Sequence, residues 1–137
     1  MRKYELNLDA TLENLTQVMA FIEEHLEEED CPMRAQMQIT VSAEEIYVNI
    51  AHYAYKEGTG KATVRLELVD QPRAMSLTFI DSGIPFDPLA KPDPDVTLSA
   101  EERNIGGLGI YMTKKAMDDV RYTYQDGQNI LTLYKRF

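Results

Sequence analysis

The stretch Phe79-Ile-Asp-Ser-Gly-Ile-Pro-Phe-Asp-Pro88 closes an alternating apolar run and opens a long irregular segment. Before it, Met75, Leu77 and Phe79 alternate with Ser76 and Thr78, the period-two pattern of a strand with one buried face. An apolar strand therefore delivers Asp81 directly into a loop containing Gly83 and Pro85, and the strand end sets the direction of that carboxylate. A carboxylate held in this way accepts a hydrogen bond from an exocyclic amino group such as that of adenine, while Gly83 opens the backbone to close approach. The same residues also read as an ordinary Asp-x-Gly turn.

Towards the N-terminus, Asp70-Gln-Pro-Arg73 reads as a hairpin turn, and Val64, Leu66 and Leu68 alternate on the strand before it. The run from Met33 to about Tyr55 holds no glycine or proline after Pro32, which suits a helix first turn. Ile39, Ala43, Ile46 and Ile50 form one apolar row there, with Met37, Val41, Val48 and Ala51 nearby, so this long helix is expected to be largely buried. An earlier helix carries Leu12, Leu15, Met19, Ile22 and Leu26 at helical spacing, capped by Asp9 or Thr11, and Tyr4, Leu6 and Leu8 form a first strand. The acidic end of that helix, from Glu23 to Asp30, reads as a solvated face.

Towards the C-terminus, residues 81–109 hold four prolines and four glycines without a sustained period, and a connection of that length is expected to serve function. Leu108, Met112, Ala116 and Met117 then restore helical spacing. Val120, Tyr122 and Tyr124 alternate up to Asp126-Gly127, and Leu131 and Leu133 alternate beyond it, which predicts a closing hairpin. The order of elements predicts an α+β two-layer sandwich: a mixed, mostly antiparallel sheet with helices on one face.

With 137 residues, 44% of them hydrophobic and 27% charged, one domain spanning 1–137 is expected. A net charge of -9 repels phosphate backbones and anionic membranes, so neither nucleic acid nor membrane is an expected partner. No apolar run reaches the roughly 20 residues of a bilayer span, and no leader is apparent, so a cytoplasmic location is expected. Cys31 stands alone and reads as an inert thiol, and His25 and His52 show no metal-ligand spacing.

Two further patterns concern chemistry. Ser42, Glu45, Asn49 and His52 lie three, four and three residues apart, so they share one stripe of an otherwise apolar helix, which either faces solvent or meets something polar. Asn104-Ile-Gly-Gly-Leu-Gly-Ile110 runs straight into a helix, where free backbone N–H groups and the helix dipole favour phosphate; a glycine-rich connection is the plainer reading. The spacing fits neither the dinucleotide fingerprint nor the Gly-Lys-Ser/Thr phosphate loop.

Taken in order, Glu45-Ile-Tyr-Val-Asn49, Asp81-Ser-Gly-Ile-Pro-Phe-Asp87 and Gly106-Gly-Leu-Gly109 resemble the three nucleotide boxes of the GHKL ATPases, in particular the anti-sigma-factor serine/threonine kinase branch. The resemblance covers nearly the whole chain and implies a Bergerat-type ATP-binding fold with ATP and Mg²⁺ as cofactors. It implies that Asp81 holds the adenine amino group, Gly83 lines the base pocket, Gly106, Gly107 and Gly109 contact phosphates, and Asn49 completes the magnesium shell. It further implies Glu45 as general base and Arg103, in a lid loop of about residues 88–105, as the group that stabilises transferring phosphate charge, with Lys91 a weaker candidate. Close relatives often carry histidine where this chain has Tyr53, with His52 one place earlier. The implied function is a regulatory kinase that phosphorylates a small antagonist protein of the anti-anti-sigma type and sequesters a sigma factor, assembled as a homodimer. A non-catalytic nucleotide-binding interaction module of the same fold is the alternative.

Overall fold

The computed structural model describes residues 1–55, 58–90 and 108–137, apart from the side chain of Leu108. Alternation of apolar and polar residues builds five strands: β1 (Arg2–Asp9), β2 (Lys61–Asp70), β3 (Arg73–Asp81), β4 (Asp119–Gln125) and β5 (Gln128–Arg136). They form one sheet in the order β1-β2-β3-β5-β4, antiparallel at each of the four pairings. Helices α1 (Leu15–Glu28), α2 (Met33–Tyr53) and α3 (Leu108–Ala116) complete the fold, with single 3₁₀ turns at Leu12–Asn14 and Pro88–Ala90.

Register places inward side chains in rows across the sheet. Tyr4, Leu66, Leu77, Leu133 and Val120 form one row, and Leu6, Val64, Phe79, Leu131 and Tyr122 form the next. These rows share a core with Val18, Ile22 and Leu26 of α1 and Ile39, Ala43, Ile46 and Tyr47 of α2, so the helices cover this face of the sheet. The other face carries polar cross-strand pairs: Arg65 donates to Glu5 at 3.0 Å, Thr63 donates to Asn7 at 2.6 Å, and the Thr78 and Thr132 hydroxyls lie 3.1 Å apart. The α+β architecture with helices on one face is thus the observed one, because period-two alternation leaves one apolar face to cover.

The closing hairpin turns at Asp126 (φ 53°) and Gly127 (φ 77°), both left-handed, as a two-residue turn matching strand twist requires. The Asp70–Arg73 turn contains a cis Gln71–Pro72 peptide.

Several expectations need correction. Helix α2 is not largely buried: Met37 is 59% and Val41 64% exposed, because one flank of the helix faces neither the sheet nor α1. On α1 the buried stripe is Val18, Ile22 and Leu26, whereas Leu12 lies in the exposed 3₁₀ turn ahead of the helix. Neither Asp9 nor Thr11 caps this turn through its side chain. Instead Asn14 donates to the Asp9 carbonyl at 2.8 Å. On α3, Met112 is 56% exposed and Thr113 is buried in its place, while Met117, just beyond the helix, is buried. Cys31 is buried, and burial pushes its thiol pKa up, as expected of an inert thiol.

Candidate functional site

At one end of the sheet the inward row runs Leu8, Ala62, Asp81, Asn129 and Tyr124, so the apolar face turns polar in its centre. Asp81 is 5% exposed and Asn129 7%. Asp81 Oδ1 accepts from the Gly83 amide at 2.9 Å and from Asn129 Nδ2 at 3.0 Å. Among the described residues its Oδ2 carries no hydrogen bond.

Asp81 forms part of a slot between helix and sheet. Ile46, Asn49, Ile50 and Tyr53 of α2 supply one wall and Phe79, Leu131 and Tyr122 of the sheet another, while Ile84, Phe86 and Pro88 follow the strand as a third. The enclosed cavity is small, about 50 Å³, and opens to solvent. Ile84 and Phe86 are exposed although apolar. An apolar slot with few polar groups at its floor is the usual form of a small-molecule site. Burial pushes the Tyr122 hydroxyl pKa up, so it stays a neutral hydrogen-bonding group at the slot's edge.

The predicted polar stripe of α2 divides between two environments. Asn49 lines the slot, whereas Ser42 and Glu45 line a wider groove between α2 and α3, together with Met37, Val41 and Met112. Asn49 Nδ2 donates to Glu45 Oε1 at 3.3 Å, which ties the two environments together. Gly109 lies inside the first turn of α3 rather than before it. A Cβ there would overlap Cδ and Oε1 of Glu45. Absence of a side chain at 109 thus lets the first turn of α3 come up against the Glu45 carboxylate.

His52 is exposed and meets Tyr53 edge-on at 5.8 Å, and it lines neither the slot nor the groove. Gly83 has its own packing reason: a Cβ there would overlap the backbone carbonyl of Ala54, against which Ile84 N donates at 2.9 Å. The end of α2 and the loop after β3 are thereby pressed together. Arg103, Gly106, Gly107 and Lys91 lie outside the described residues, as does residue 91–105 of the expected lid.

Two residues that organise the site were not singled out in the sequence. Tyr55 donates to the Lys61 carbonyl at 2.6 Å and accepts from the Ser82 amide at 2.8 Å, fastening the exit of β3 to the start of β2. Asn129 is in phase with Leu131 and Leu133, so the period-two pattern places a polar side chain at an inward position, a signal that the sequence did contain.

An apolar slot with a buried, directed carboxylate, opening beside a carboxylate and amide at a helix N-terminus, has the elements of a nucleotide site. Residues 8–135 match the histidine kinase-like ATPase domain, and the chain belongs to that family. The serine/threonine-protein kinase BtrW of Bordetella bronchiseptica is 28% identical over 128 residues, covering 93% of this chain and 89% of the relative. The serine-protein kinase RsbW of Listeria monocytogenes is 28% identical over 98 residues, 68% of this chain and 61% of its own length. The RsbU and RsbW domains of Rv1364c from Mycobacterium tuberculosis superpose with a TM-score of 0.70 at 18% identity, over 99% of this chain and 32% of that one. That last likeness shows the fold.

Proposed function

We propose that this chain binds ATP with magnesium and acts as a regulatory serine/threonine kinase of the anti-sigma-factor type, phosphorylating a small antagonist protein. The observation that carries the reading is the pairing of an apolar slot, floored by an Asp81 oxygen without a hydrogen bond among the described residues, with Glu45 and Asn49 at the first turn of α3. The names of the kinase relatives support the same reading.

Asp81 Oδ2 would accept a hydrogen from the adenine amino group, and Ile50, Phe79, Ile84 and Leu131 would sandwich the ring. The triphosphate would then extend towards the N-terminus of α3, where helix N–H groups favour anions. Gly109 lies there, and the glycines at 106 and 107 would contribute by resemblance. Asn49 Oδ1 accepts no hydrogen bond among the described residues, which leaves it free to ligate a metal. Magnesium takes oxygen ligands and needs one or two from protein, so an amide oxygen beside phosphate and water fits its chemistry. When bound, the ion would neutralise phosphate charge and align the triphosphate.

Glu45 would accept the proton of a partner's serine or threonine hydroxyl as that oxygen attacks the terminal phosphorus and ADP departs. Asn49, bonded to Oε1, would hold the carboxylate in place for this. Arg103 is proposed by resemblance to steady the transferring charge. A sigma factor is proposed as second partner and a homodimer as the assembly, in the cytoplasm. No helix of the described residues is long and apolar enough to cross a membrane.

Calorimetric titration of ATP and ADP, with and without Mg²⁺, tests the site. Magnesium-dependent binding that Asn49→Ala abolishes is the expected result, and no binding by the folded parent would sink the reading. Binding without transfer to any partner would instead favour a non-catalytic nucleotide-binding module.

A further inference from the structure

Selectivity at the slot depends on how the Asp81 carboxylate is presented, and a residue of the last strand governs that presentation. The Asn129 amide uses its full hydrogen-bonding capacity. Nδ2 donates to Asp81 Oδ1 at 3.0 Å and to the Ile84 carbonyl at 2.8 Å; Oδ1 accepts from the Phe86 amide at 3.1 Å and from the Tyr122 hydroxyl. Reversing the amide would set its oxygen against a carboxylate and a carbonyl, and its NH₂ against the Phe86 N–H, so chemistry fixes its orientation. Asn129 thus joins the floor of the slot to the loop wall at Ile84 and Phe86 and to the rim at Tyr122.

Two consequences follow for a purine in the slot. Asp81 Oδ1 is occupied twice, by Gly83 N and Asn129 Nδ2, so the carboxylate cannot turn and offers one acceptor oxygen in one direction. The donors around it are also engaged: Gly83 N–H with Asp81, and the two Asn129 hydrogens with Asp81 and Ile84. A 6-amino group meets an acceptor there. A 6-oxo group meets the same acceptor and finds no free donor among these groups. A freely turning carboxylate could instead follow the N1–H of a 6-oxo purine.

Building on the ATP reading, we propose that Asn129 is the positioning residue that makes this site select 6-amino over 6-oxo purine nucleotides, by locking Asp81 and keeping its own amide hydrogens engaged beside it. The test titrates ATP, ITP and inorganic tripolyphosphate into the parent, Asn129→Ala and Tyr122→Phe, with folding followed by circular dichroism and melting. The parent should prefer ATP to ITP. Asn129→Ala should lower the ATP:ITP affinity ratio by about tenfold or more, the worth of one hydrogen bond to a charged group, with tripolyphosphate binding unaffected. Tyr122→Phe, which removes one of the two bonds holding Asn129 Oδ1, should lower the ratio by about two- to fivefold.

An unchanged ratio in folded Asn129→Ala overturns the proposal, as does an equal loss of affinity for all three ligands, which would mark a purely structural role. Should Asn129→Ala not fold, an unchanged ratio in Tyr122→Phe overturns it instead. A parent that binds no ATP removes the nucleotide reading and this inference together, whereas a selective parent with unaltered variants removes this inference only.

Discussion

The two halves of the site are built differently. At the end proposed to hold the base, Asp81 is buried at a strand terminus and held by two hydrogen bonds to one oxygen, within walls that Asn129 ties together. At the end proposed to hold the phosphates, Glu45 is half-buried on a helix flank, with one long hydrogen bond from Asn49 and a glycine's empty space against it. The groove beside Glu45 is also wider than the slot and is flanked by exposed Met37, Val41 and Met112. A sheet holds the Asp81 acceptor rigidly, since its register is fixed along every strand. Two helices meeting at Gly109 leave a wider groove, open enough for the proposed partner's hydroxyl to enter and leave. On the proposed reading, rigidity belongs with selectivity and openness with transfer.

The sharpest way to break this contrast is Glu45→Ala. Loss of general-base assistance should lower phosphoryl transfer by roughly 10²–10⁴-fold while ATP binding persists. Single-turnover transfer from labelled ATP to a partner reads the first quantity and calorimetry the second; an unaffected rate would move the base elsewhere.

The opposite disturbance is Asp81→Asn, which replaces an acceptor pair by one acceptor and one donor. ATP affinity should fall by about ten- to a hundredfold, with inorganic tripolyphosphate affinity retained. Equal affinity for ATP in variant and parent would take Asp81 out of the base pocket.

Tyr47 provides a control on the same helix but outside both halves. Its hydroxyl donates to the Thr11 carbonyl at 2.6 Å and the Asp9 carbonyl at 3.2 Å, anchoring α2 to the end of β1. Removing it in Tyr47→Phe should lower stability by about 1 kcal/mol in denaturant unfolding, without altering the ATP:ITP ratio. A changed ratio would mean that the slot depends on this distant anchor.

The smallest effect is expected from acid. Hydrogen bonding by Arg2 holds the Asp70 carboxyl below its usual range, and Arg65 does the same for Glu5. Since the unfolded chain binds these protons more readily, the pairs stabilise the fold fully above the unfolded carboxyl values. That contribution is lost as pH falls through the lower folded ones. The melting temperature should therefore decline below about pH 4, and Arg2→Met should make the decline slightly shallower. A steeper decline in the variant would contradict the assigned sign.

Alternation made the strands legible because a half-buried sheet repeats every two residues, and Asp81 was legible because it ends such a run. The burial of α2 was not. Its apolar residues surround the helix, and helical periodicity cannot say which flank lacks a neighbour; contact with α1 and the sheet left Met37 and Val41 exposed. The stripe from Ser42 to His52 was correctly placed on one helix, yet it spans a slot, a groove and open solvent. Gly83 shows a similar limit, since the carbonyl that fills its missing side-chain space belongs to Ala54, far away in sequence.

By itself the sequence determined the strands, the helices, their layering and the order of the three boxes, because these follow from local periodicity and from residue types at short spacing. Only the tertiary structure decided that Asn129 locks Asp81, that a Cβ at Gly109 would overlap Glu45, that Tyr47 ties α2 to the end of β1, and that Tyr55 ties the exit of β3 to the start of β2. Each of these joins residues distant along the chain, and their pairing depends on strand register and helix approach, which no local pattern encodes.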